Sequence, residues 1–250
     1  MQDRILLNVL LRAGQLLLES GAETYRAEDA ALYMFNRLGK GDISIFAVPT
    51  MVIIEIDNGE GQTISGHRRI RRRAIHLGKI EQVNSIVRSV SEGNLSPEEA
   101  LSALNALDNA SGLSTFQTLL ATAAAAGVFS LLLKGGILEL IFGFVCCFLA
   151  QLAGLFFHKV SMYQFFNSIL GGLVPTLLML GVRQFLPNIQ HEVVVIGSML
   201  PLFPGVATVN AIRDAINGDL ISGVSRAAEA VMIAVGLGIG AAGIYLLGVM

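Results

Sequence analysis

Charged residues are scarce in this chain, and the shortage is confined to one part of it. Asp, Glu, Lys and Arg make up 14% of the 250 residues, whereas a soluble domain carries roughly 25%. The chain up to Leu113 holds 12 of the 17 basic and 14 of the 19 acidic residues, and the rest holds five of each. This division predicts a segment suited to water, followed by a segment suited to lipid.

Cysteine is also rare, and the signatures of common enzymes are missing. Cys146 and Cys147 are adjacent in an apolar run, so they cannot meet disulfide geometry within one helix and lack metal-ligand spacing. The sequence has no G-x-S-x-G motif and no phosphate-binding loop, and His191-Glu192 lacks the second histidine of a zinc-binding helix. We therefore predict a protein that is not an enzyme and has no metal and no cofactor.

Residues 1–112 have the pattern of a small α+β domain. Helical periodicity and β-branched runs predict helices at 4–19, 22–38, 75–90 and 97–107 and strands at 43–48, 51–56 and 62–65. Ser96 is the predicted N-cap of the last helix, because Pro97 suits the first helical position and Glu99 can reach back to the cap.

Five apolar runs follow, at residues 116–133, 137–157, 162–181, 193–212 and 227–249. Each is long enough to cross a bilayer of about 30 Å. The predicted fold is therefore an α-helical membrane protein. It has a small α+β cytoplasmic domain at residues 1–112 and a bundle of about five transmembrane helices at residues 113–250.

Basic residues predict the orientation of these spans. With the N-terminal domain in the cytoplasm, 15 Lys and Arg residues lie on the inner side and only two, Lys134 and Arg183, lie outside. An odd number of spans then puts the C-terminus outside. We expect a multi-pass protein of the cell inner (plasma) membrane, embedded in the lipid bilayer.

The fourth apolar run contains Pro201, Pro204 and Gly205. Each proline removes a backbone donor and clashes with the preceding turn, so we predict a helix that breaks here and restarts near Gly205. Backbone left unpaired at this depth must face protein or a water-filled cavity. The free N–H groups at such a helix start suit a carboxylate. A plain proline kink is the alternative.

Polar residues follow this break, namely Thr208, Asn210, Arg213 and Asp214. We predict that Arg213 gathers anions at the inner mouth of a path, with Asp214 as its ion partner or as a proton-linked gate. The alternative is that the two residues form a solvated helix cap. The polar residues of the other spans are candidates to face the same interior; they are Gln151, Asn167 and Thr176.

Glu23, Glu28 and Asp29 form an acidic cluster early in the second helix. The helix dipole favours acidic residues at this position, and that effect accounts for most such clusters. The alternative is a paired-carboxylate site that His67 or His76 joins.

A basic run at residues 68–73 contains five arginines. Two interpretations stay open, a solvated positive-inside segment and a contact with anionic lipid headgroups. Nucleic acid is not an expected partner, because the net charge is −2 and no stacking aromatic residues accompany the run.

The last apolar run carries Gly236, Gly240 and Gly243. Gly238, Gly240 and Gly243 formally match a dinucleotide-binding fingerprint, but they lie inside an apolar span rather than between a strand and a helix. Small residues at this spacing are typical of close helix–helix contacts in membranes. We expect these glycines to serve association with a partner.

Three groups of residues resemble the signatures of the threonine/serine exporter family. The first is residues 20–29, with the sequence Ser-Gly-Ala-Glu-Thr-Tyr-Arg-Ala-Glu-Asp, and the second is Pro49-Thr50 after a strand. The third includes Leu202, Phe203, Pro204, Gly205, Asn210, Arg213, Asp214, Gly218, Asp219, Ser222, Gly223 and Arg226. These groups follow the family's order over essentially the whole chain.

The resemblance implies a membrane exporter of small carboxylate metabolites. The candidate substrate-binding residues are Pro204, Gly205, Asn210, Arg213, Asp214 and Arg226. The candidate motif of the cytoplasmic domain consists of Glu23, Thr24, Glu28, Asp29, Pro49 and Thr50.

The number of spans adds a second implication of the resemblance. Long family members hold about twice as many spans, so the chain resembles the larger subunit of the split type. Split pairs are associated with export of dicarboxylates such as succinate, whereas fused members export threonine and serine. The expected partner is a second small membrane subunit or further copies of the chain. The alternative function is a membrane-anchored hydrolase, or a scaffold that acts through its cytoplasmic domain.

The predicted orientation has a direct test. A membrane-impermeant thiol reagent applied outside intact cells should label a cysteine placed at Met250 and should spare one placed at Asn58, because of these two positions only Met250 is expected outside. Labelling of Asn58→Cys in intact cells would contradict the orientation.

Overall fold

A computed structural model describes residues 2–59, 61–109, 113–158 and 164–246 of the chain. Lys159 and Met250, which enter the predicted orientation, lie outside the described residues. Contacts divide the chain into two compact units. The first unit comprises Met1–Gly112 and Val209–Ala227, and the second comprises Leu113–Thr208 and Ala228–Met250. The domain boundary proposed at residue 112 stays a prediction.

The N-terminal part of the first unit has the predicted α+β elements. Its helices are α1 (Gln2–Glu19), α2 (Thr24–Leu38), α3 (Leu77–Ser91) and α4 (Pro97–Ala106), and its strands are β1 (Asp42–Val48), β2 (Met51–Asp57) and β3 (Thr63–Arg69). The strands form an antiparallel sheet in the order β1-β2-β3. Ser96 caps α4 together with Glu99 as predicted. Strand β3 is longer than expected, because Arg69 still pairs with Met51.

Helix α1 covers one face of the sheet and builds the core of this unit. Its residues Val9, Leu10, Leu16 and Leu17 are fully buried, as the apolar stripe of an amphipathic helix requires. The helix approaches β3 closely at Gly66, where a Cβ atom would lie 2.8 Å from the Leu11 side chain. A side chain at position 66 would therefore have to displace the Leu11 side chain.

The described residues from Leu113 onward form six further helices. They are α5 (Thr115–Leu132), α6 (Ile137–His158), α7 (Gln164–Arg183), α8 (His191–Met199), α9 (Gly205–Ile216) and α10 (Leu220–Leu246). Among the described residues, α5, α6, α7 and α10 are long and apolar enough to cross a membrane, and α8 with α9 makes a fifth span if the bent pair is one crossing. The chain is a multi-pass membrane protein with a small sheet in its N-terminal part, and the cytoplasmic position of that part stays a prediction.

The break expected in the fourth span is present. Helix α8 ends at Met199, a 3₁₀ turn covers Leu200–Leu202, and α9 begins at Gly205. The two segments are bent by 52°. The missing donors and the ring clashes of Pro201 and Pro204 account for the bend.

The loop between α5 and α6 meets the loop between α7 and α8. Glu139 is buried, and its carboxylate accepts hydrogen bonds from the Gly136 N–H (2.7 Å) and the Gln190 N–H (3.0 Å). The two loops therefore lie on the same side of the second unit. This arrangement agrees with the expectation that Lys134 and Arg183 share one side of the membrane.

Helices α7 and α10 cross at contact distance through glycine. A Cβ atom on Gly240 would lie 2.0 Å from the Ile169 carbonyl oxygen, and one on Gly172 would lie 2.1 Å from the Leu237 carbonyl oxygen. The close helix packing predicted for Gly240 is thus present, but it joins two helices of the same chain. Our expectation that Gly240 serves association with a partner was wrong for this reason.

We predict that Gly240→Leu lowers the melting temperature and the yield of folded protein, because the added side chain forces α10 away from α7. Gly238→Leu in the same helix is the matched control, since no described atom lies within 4 Å of a Cβ at that position. The measurement is thermal unfolding of the detergent-solubilised protein. Equal melting temperatures for the two variants would contradict the crossing.

Candidate functional site

Side chains of α9 and of the first turns of α10 contact residues 21–24, which comprise the end of the loop between α1 and α2 and the first residue of α2. The Asn210 side-chain amide donates to the Gly21 carbonyl oxygen (2.9 Å), and the Arg226 guanidinium donates to the Ala22 carbonyl oxygen (2.7 Å). The Thr24 N–H donates to the Asp214 carboxylate (3.0 Å). We call this cluster the hub; it consists of residues 21–24 with Asn210, Arg213, Asp214 and Arg226.

The local backbone explains why this loop takes partners from outside. Gly21 has a φ of +84°, a conformation that suits glycine just after a helix end. Thr24 is the first residue of α2, so its N–H has no partner inside the helix. The N-cap side chain of Glu23 does not satisfy it either. Asp214 supplies the missing acceptor, and the α2 dipole favours its negative charge there.

Asp214 and Arg226 form the buried ion pair of the hub. Their charged groups approach to 2.9 Å, and the residues are only 0% and 4% exposed. Gly223 brings the two helices together, since a Cβ atom there would lie 3.0 Å from the Ala211 carbonyl oxygen. Buried charges are stable only when they are paired and hydrogen-bonded, so the hub requires both residues.

Arg213 takes Glu23 as its ion partner, at 2.5 Å, rather than Asp214 as we expected. Consecutive residues on a helix point in different directions and do not face each other. Asp214 therefore turns into the hub, whereas the Arg213 side chain stays 56% exposed. Our alternative, a solvated Arg213–Asp214 cap, is equally wrong, because Asp214 is buried.

Glu23 is held in its ionised form. Burial raises the pKa of this carboxyl group, but its own backbone N–H and the guanidinium groups of Arg213 and Arg26 outweigh burial and lower the pKa below the ordinary value. Because the folded-state pKa is lowered, the stabilising effect of Glu23 is complete above the ordinary glutamate pKa. It is lost as the pH falls through the lowered value.

Glu28 and Asp29 have surroundings different from those of Glu23. The Glu28 carboxylate accepts a hydrogen bond from the Ala47 N–H near the end of β1 (2.7 Å), and Asp29 is exposed. Burial raises the pKa of Glu28, and the negative charges of Asp219, Asp29 and Asp214 add to this effect against the opposing Ala47 hydrogen bond. Burial and the charge of Asp214 likewise raise the pKa of Asp219. Negative charge therefore accumulates beside the hub.

The remaining motif residues, Pro49 and Thr50, belong to the turn between β1 and β2. Pro49 is buried in the turn between β1 and β2, and the carbonyl oxygen of the exposed Thr50 accepts a hydrogen bond from the Ile70 N–H (2.9 Å). His67 is exposed on β3, and His76 precedes α3. Within the described parts of the chain, no group of three or more His, Cys, Asp or Glu residues is placed to hold a metal ion.

A cavity of about 400 Å³ lies in the second unit, among α5, α6, α7 and the break before α9. Its described lining residues are Leu113, Thr115, Thr118, Leu119, Ala150, Gln151, Gly154, Leu155, Asn167, Gly171 and Leu202. Gln151 and Asn167 thus share one interior, as expected. Thr176 does not line this cavity; it is buried, and its hydroxyl donates to the Gly172 carbonyl oxygen (2.9 Å).

We expected the candidate substrate-binding residues to line one substrate path. The structure instead places them in different surroundings. Asn210, Arg213, Asp214 and Arg226 belong to the hub. Leu202 at the break lines the cavity, whereas Pro204 and Gly205 are not among its described lining residues. Gly205 is exposed at the start of α9, with open space where a Cβ would be.

Sequence reasoning missed that residues 21–24 and the ends of α9 and α10 form one site. No periodicity or spacing relates groups about 190 positions apart. One signal was available, because Asp214 and Arg226 are charges in otherwise apolar segments, and such charges find partners.

We predict that Asp214→Asn and Arg226→Met each lower the free energy of unfolding by about 3–5 kcal/mol, because each leaves the partner charge buried and unpaired. The double variant Asp214→Asn/Arg226→Met should recover much of this loss, since no unpaired charge remains. Arg213→Met is the control, and its effect should be smaller because that side chain is half exposed. Denaturant unfolding in detergent measures all four; additive losses in the double variant would contradict the pair.

Comparisons with known proteins agree with the motifs that the hub and the break contain. A family model described as a putative threonine/serine exporter matches residues 8–248. The chain is 20% identical over 245 residues to a probable threonine/serine exporter of Mycobacterium tuberculosis, covering 96% of this chain and 46% of that protein. It is 23% identical over 252 residues to a threonine/serine exporter of Corynebacterium glutamicum, covering 94% and 50%.

The chain thus spans about half the length of the curated relatives that it matches. No solved structure shows a significant match. The family model covers nearly all of the chain. The matched residues include the two motifs that build the hub, and they also include the break at Pro204. On this basis, the chain belongs to the threonine/serine exporter family.

Proposed function

We propose that this chain is a subunit of an exporter that moves small carboxylate-bearing metabolites across the cell inner membrane. The candidate solutes are threonine and serine, or dicarboxylates such as succinate. One observation carries the proposal: a helix broken in an apolar span adjoins a cavity that three other spans enclose. Broken helices beside a solute cavity are a recurring plan of secondary transporters.

The proposed orientation puts the N-terminal domain and the ends of α9 and α10 on the cytoplasmic side. Two contacts support it, each inside one unit. The hub joins residues 21–24 to Arg213 and Arg226, which are both among the basic residues assigned to the inner side. Glu139 joins the two loops that were assigned to the outer side.

The exporter is proposed to be completed by a second small membrane subunit or by further copies of this chain. The chain spans about half of its curated relatives, and a second unit of similar size and opposite orientation would give the inverted repeat common in transporters. Much of the bundle's outer surface is also apolar, with Phe156, Phe166 and Val231 exposed. Lipid and a partner subunit are the candidates to cover this surface.

We also propose a role for the hub during transport. Helix α9 begins at the break, and its residues Asn210 and Asp214 belong to the hub. A motion that changes the angle between α8 and α9 would therefore also act on the contacts of these two residues. The N-terminal domain would then hold one end of the moving helix. We propose that Arg213, which pairs with Glu23, acts through this contact rather than as a direct ligand of the solute.

The test of the proposed function is efflux of labelled threonine, serine and succinate from cells that express this chain with and without its presumed partner subunit. Export of at least one solute by the pair is the expected result. Absence of export of all three from cells that contain both inserted subunits would overturn the proposal.

We predict that Pro204→Ala lowers export several-fold while membrane insertion stays unchanged, because the helix can then close across the break. Pro187→Ala is the matched control, since Pro187 is exposed in the loop between α7 and α8. Efflux is normalised to inserted protein. Wild-type efflux from Pro204→Ala would favour a plain proline kink.

A further inference from the structure

We propose that the cavity among α5, α6 and α7 is the loading site for a small solute without net charge, and that the Asn167 side-chain oxygen accepts a hydrogen bond from this solute. The inference rests on the proposed export function and adds to it a location, a class of solute and a specificity residue.

The position of the cavity suits loading from the inner side. Thr115 and Thr118 are at the start of α5, Gln151 lies in the last two turns of α6, and Asn167 is in the first turn of α7. The start of α5, the end of α6 and the start of α7 lie on one side, because successive spans run in opposite directions. In the proposed orientation that side is the cytoplasm, from which an exporter takes its solute.

The described lining of the cavity contains no Asp, Glu, Lys, Arg or His side chain. Moving a charged group out of water costs several kcal/mol per ion unless an opposite charge compensates it. A dicarboxylate would bring two uncompensated negative charges into this lining. A zwitterion carries its own opposite charge, so the cavity favours a solute whose charges sum to zero.

Asn167 supplies a specific acceptor. Its side-chain oxygen is buried, and it has no hydrogen-bond partner among the residues that the structure describes. Buried polar atoms are nearly always paired, so an unpaired acceptor in a cavity wall indicates a donor that arrives with a ligand. Gly154 leaves space beside this oxygen, because a Cβ atom at Gly154 would lie 4.0 Å from it.

Gln151 adds a second acceptor. Its side-chain nitrogen is directed to the Cys147 carbonyl oxygen (3.4 Å) and thiol (3.5 Å), which leaves the amide oxygen as an acceptor. Leu119, Leu155 and Leu202 make much of the remaining wall apolar. Two amide acceptors beside an apolar wall match a small solute with ammonium or hydroxyl donors and a short alkyl group. A volume of about 400 Å³ is within the usual range for small-molecule sites, roughly 300–1,000 Å³.

The experiment uses everted membrane vesicles from cells that contain this chain and its presumed partner, so that the cytoplasmic face is accessible. Uptake is measured for labelled threonine, for 2-aminobutyrate, which lacks the threonine hydroxyl, and for succinate. Asn167→Leu removes the acceptor at similar volume, and Gly154→Val fills the space beside it. Asn188→Leu is the matched control, because Asn188 is exposed in the loop between α7 and α8.

We expect the wild type to take up threonine in preference to succinate and 2-aminobutyrate. Asn167→Leu should lower threonine uptake roughly tenfold, the effect of one lost hydrogen bond, and should abolish the preference over 2-aminobutyrate. Gly154→Val should lower the uptake of both amino acids, and Asn188→Leu should match the wild type.

Two results would overturn the inference while the export function stands. One is uptake of succinate without threonine, and the other is threonine uptake by Asn167→Leu equal to that of Asn188→Leu. Absence of uptake of all three solutes by the wild type would instead remove the proposed function together with the inference.

Discussion

The ion pair between Asp214 and Arg226 is the interaction on which the arrangement of the first unit depends. Both charges are withdrawn from water, so neither is stable without the other. Asp214 also accepts the first N–H of α2, and Arg226 also donates to the Ala22 carbonyl oxygen. One pair thus holds α9, α10 and the loop before α2 in a single geometry, and Asn210 and Arg213 add contacts that only this geometry permits.

The apolar helices depend on a different constraint, which is the absence of water as a hydrogen-bond partner. Each backbone group must then be paired inside protein or face a cavity. Glycine at the crossing of α7 and α10 satisfies the constraint by bringing two intact helices into contact, with Gly172 and Gly240 facing the partner backbone. Proline at the break does the opposite, and the freed backbone lies where α8 turns into α9. Glycines at the crossing and prolines at the break thus have opposite effects on the helices that contain them.

Much of the fold followed from the sequence, because periodicity and length are local properties. The helices and strands of the N-terminal part, the cap at Ser96 and the restart at Gly205 were all predicted from neighbouring residues. Strand β3 was predicted too short, since its last residues are arginines; they remain exposed while their backbone pairs with β2. The hub could not be predicted from neighbouring residues, because its contacts join residues that are far apart in the sequence. Arg213 and Asp214 were assigned to each other because they are adjacent, yet adjacency on a helix separates two side chains.

The two ends of helix α9 are held to different degrees. Helix α9 has 12 residues, about 18 Å of continuous hydrogen-bonded backbone, and its two ends experience different constraints. Gly205 at the start of the helix is exposed, whereas Asn210 and Asp214 are fixed by hydrogen bonds and a buried charge pair. The hub end is therefore the firmly held end of the helix, and its contacts depend on the charge of Asp214. Burial and neighbouring negative charges raise the pKa values of Glu28 and Asp219, so protonation of these two groups would lower the negative charge around this end of the helix.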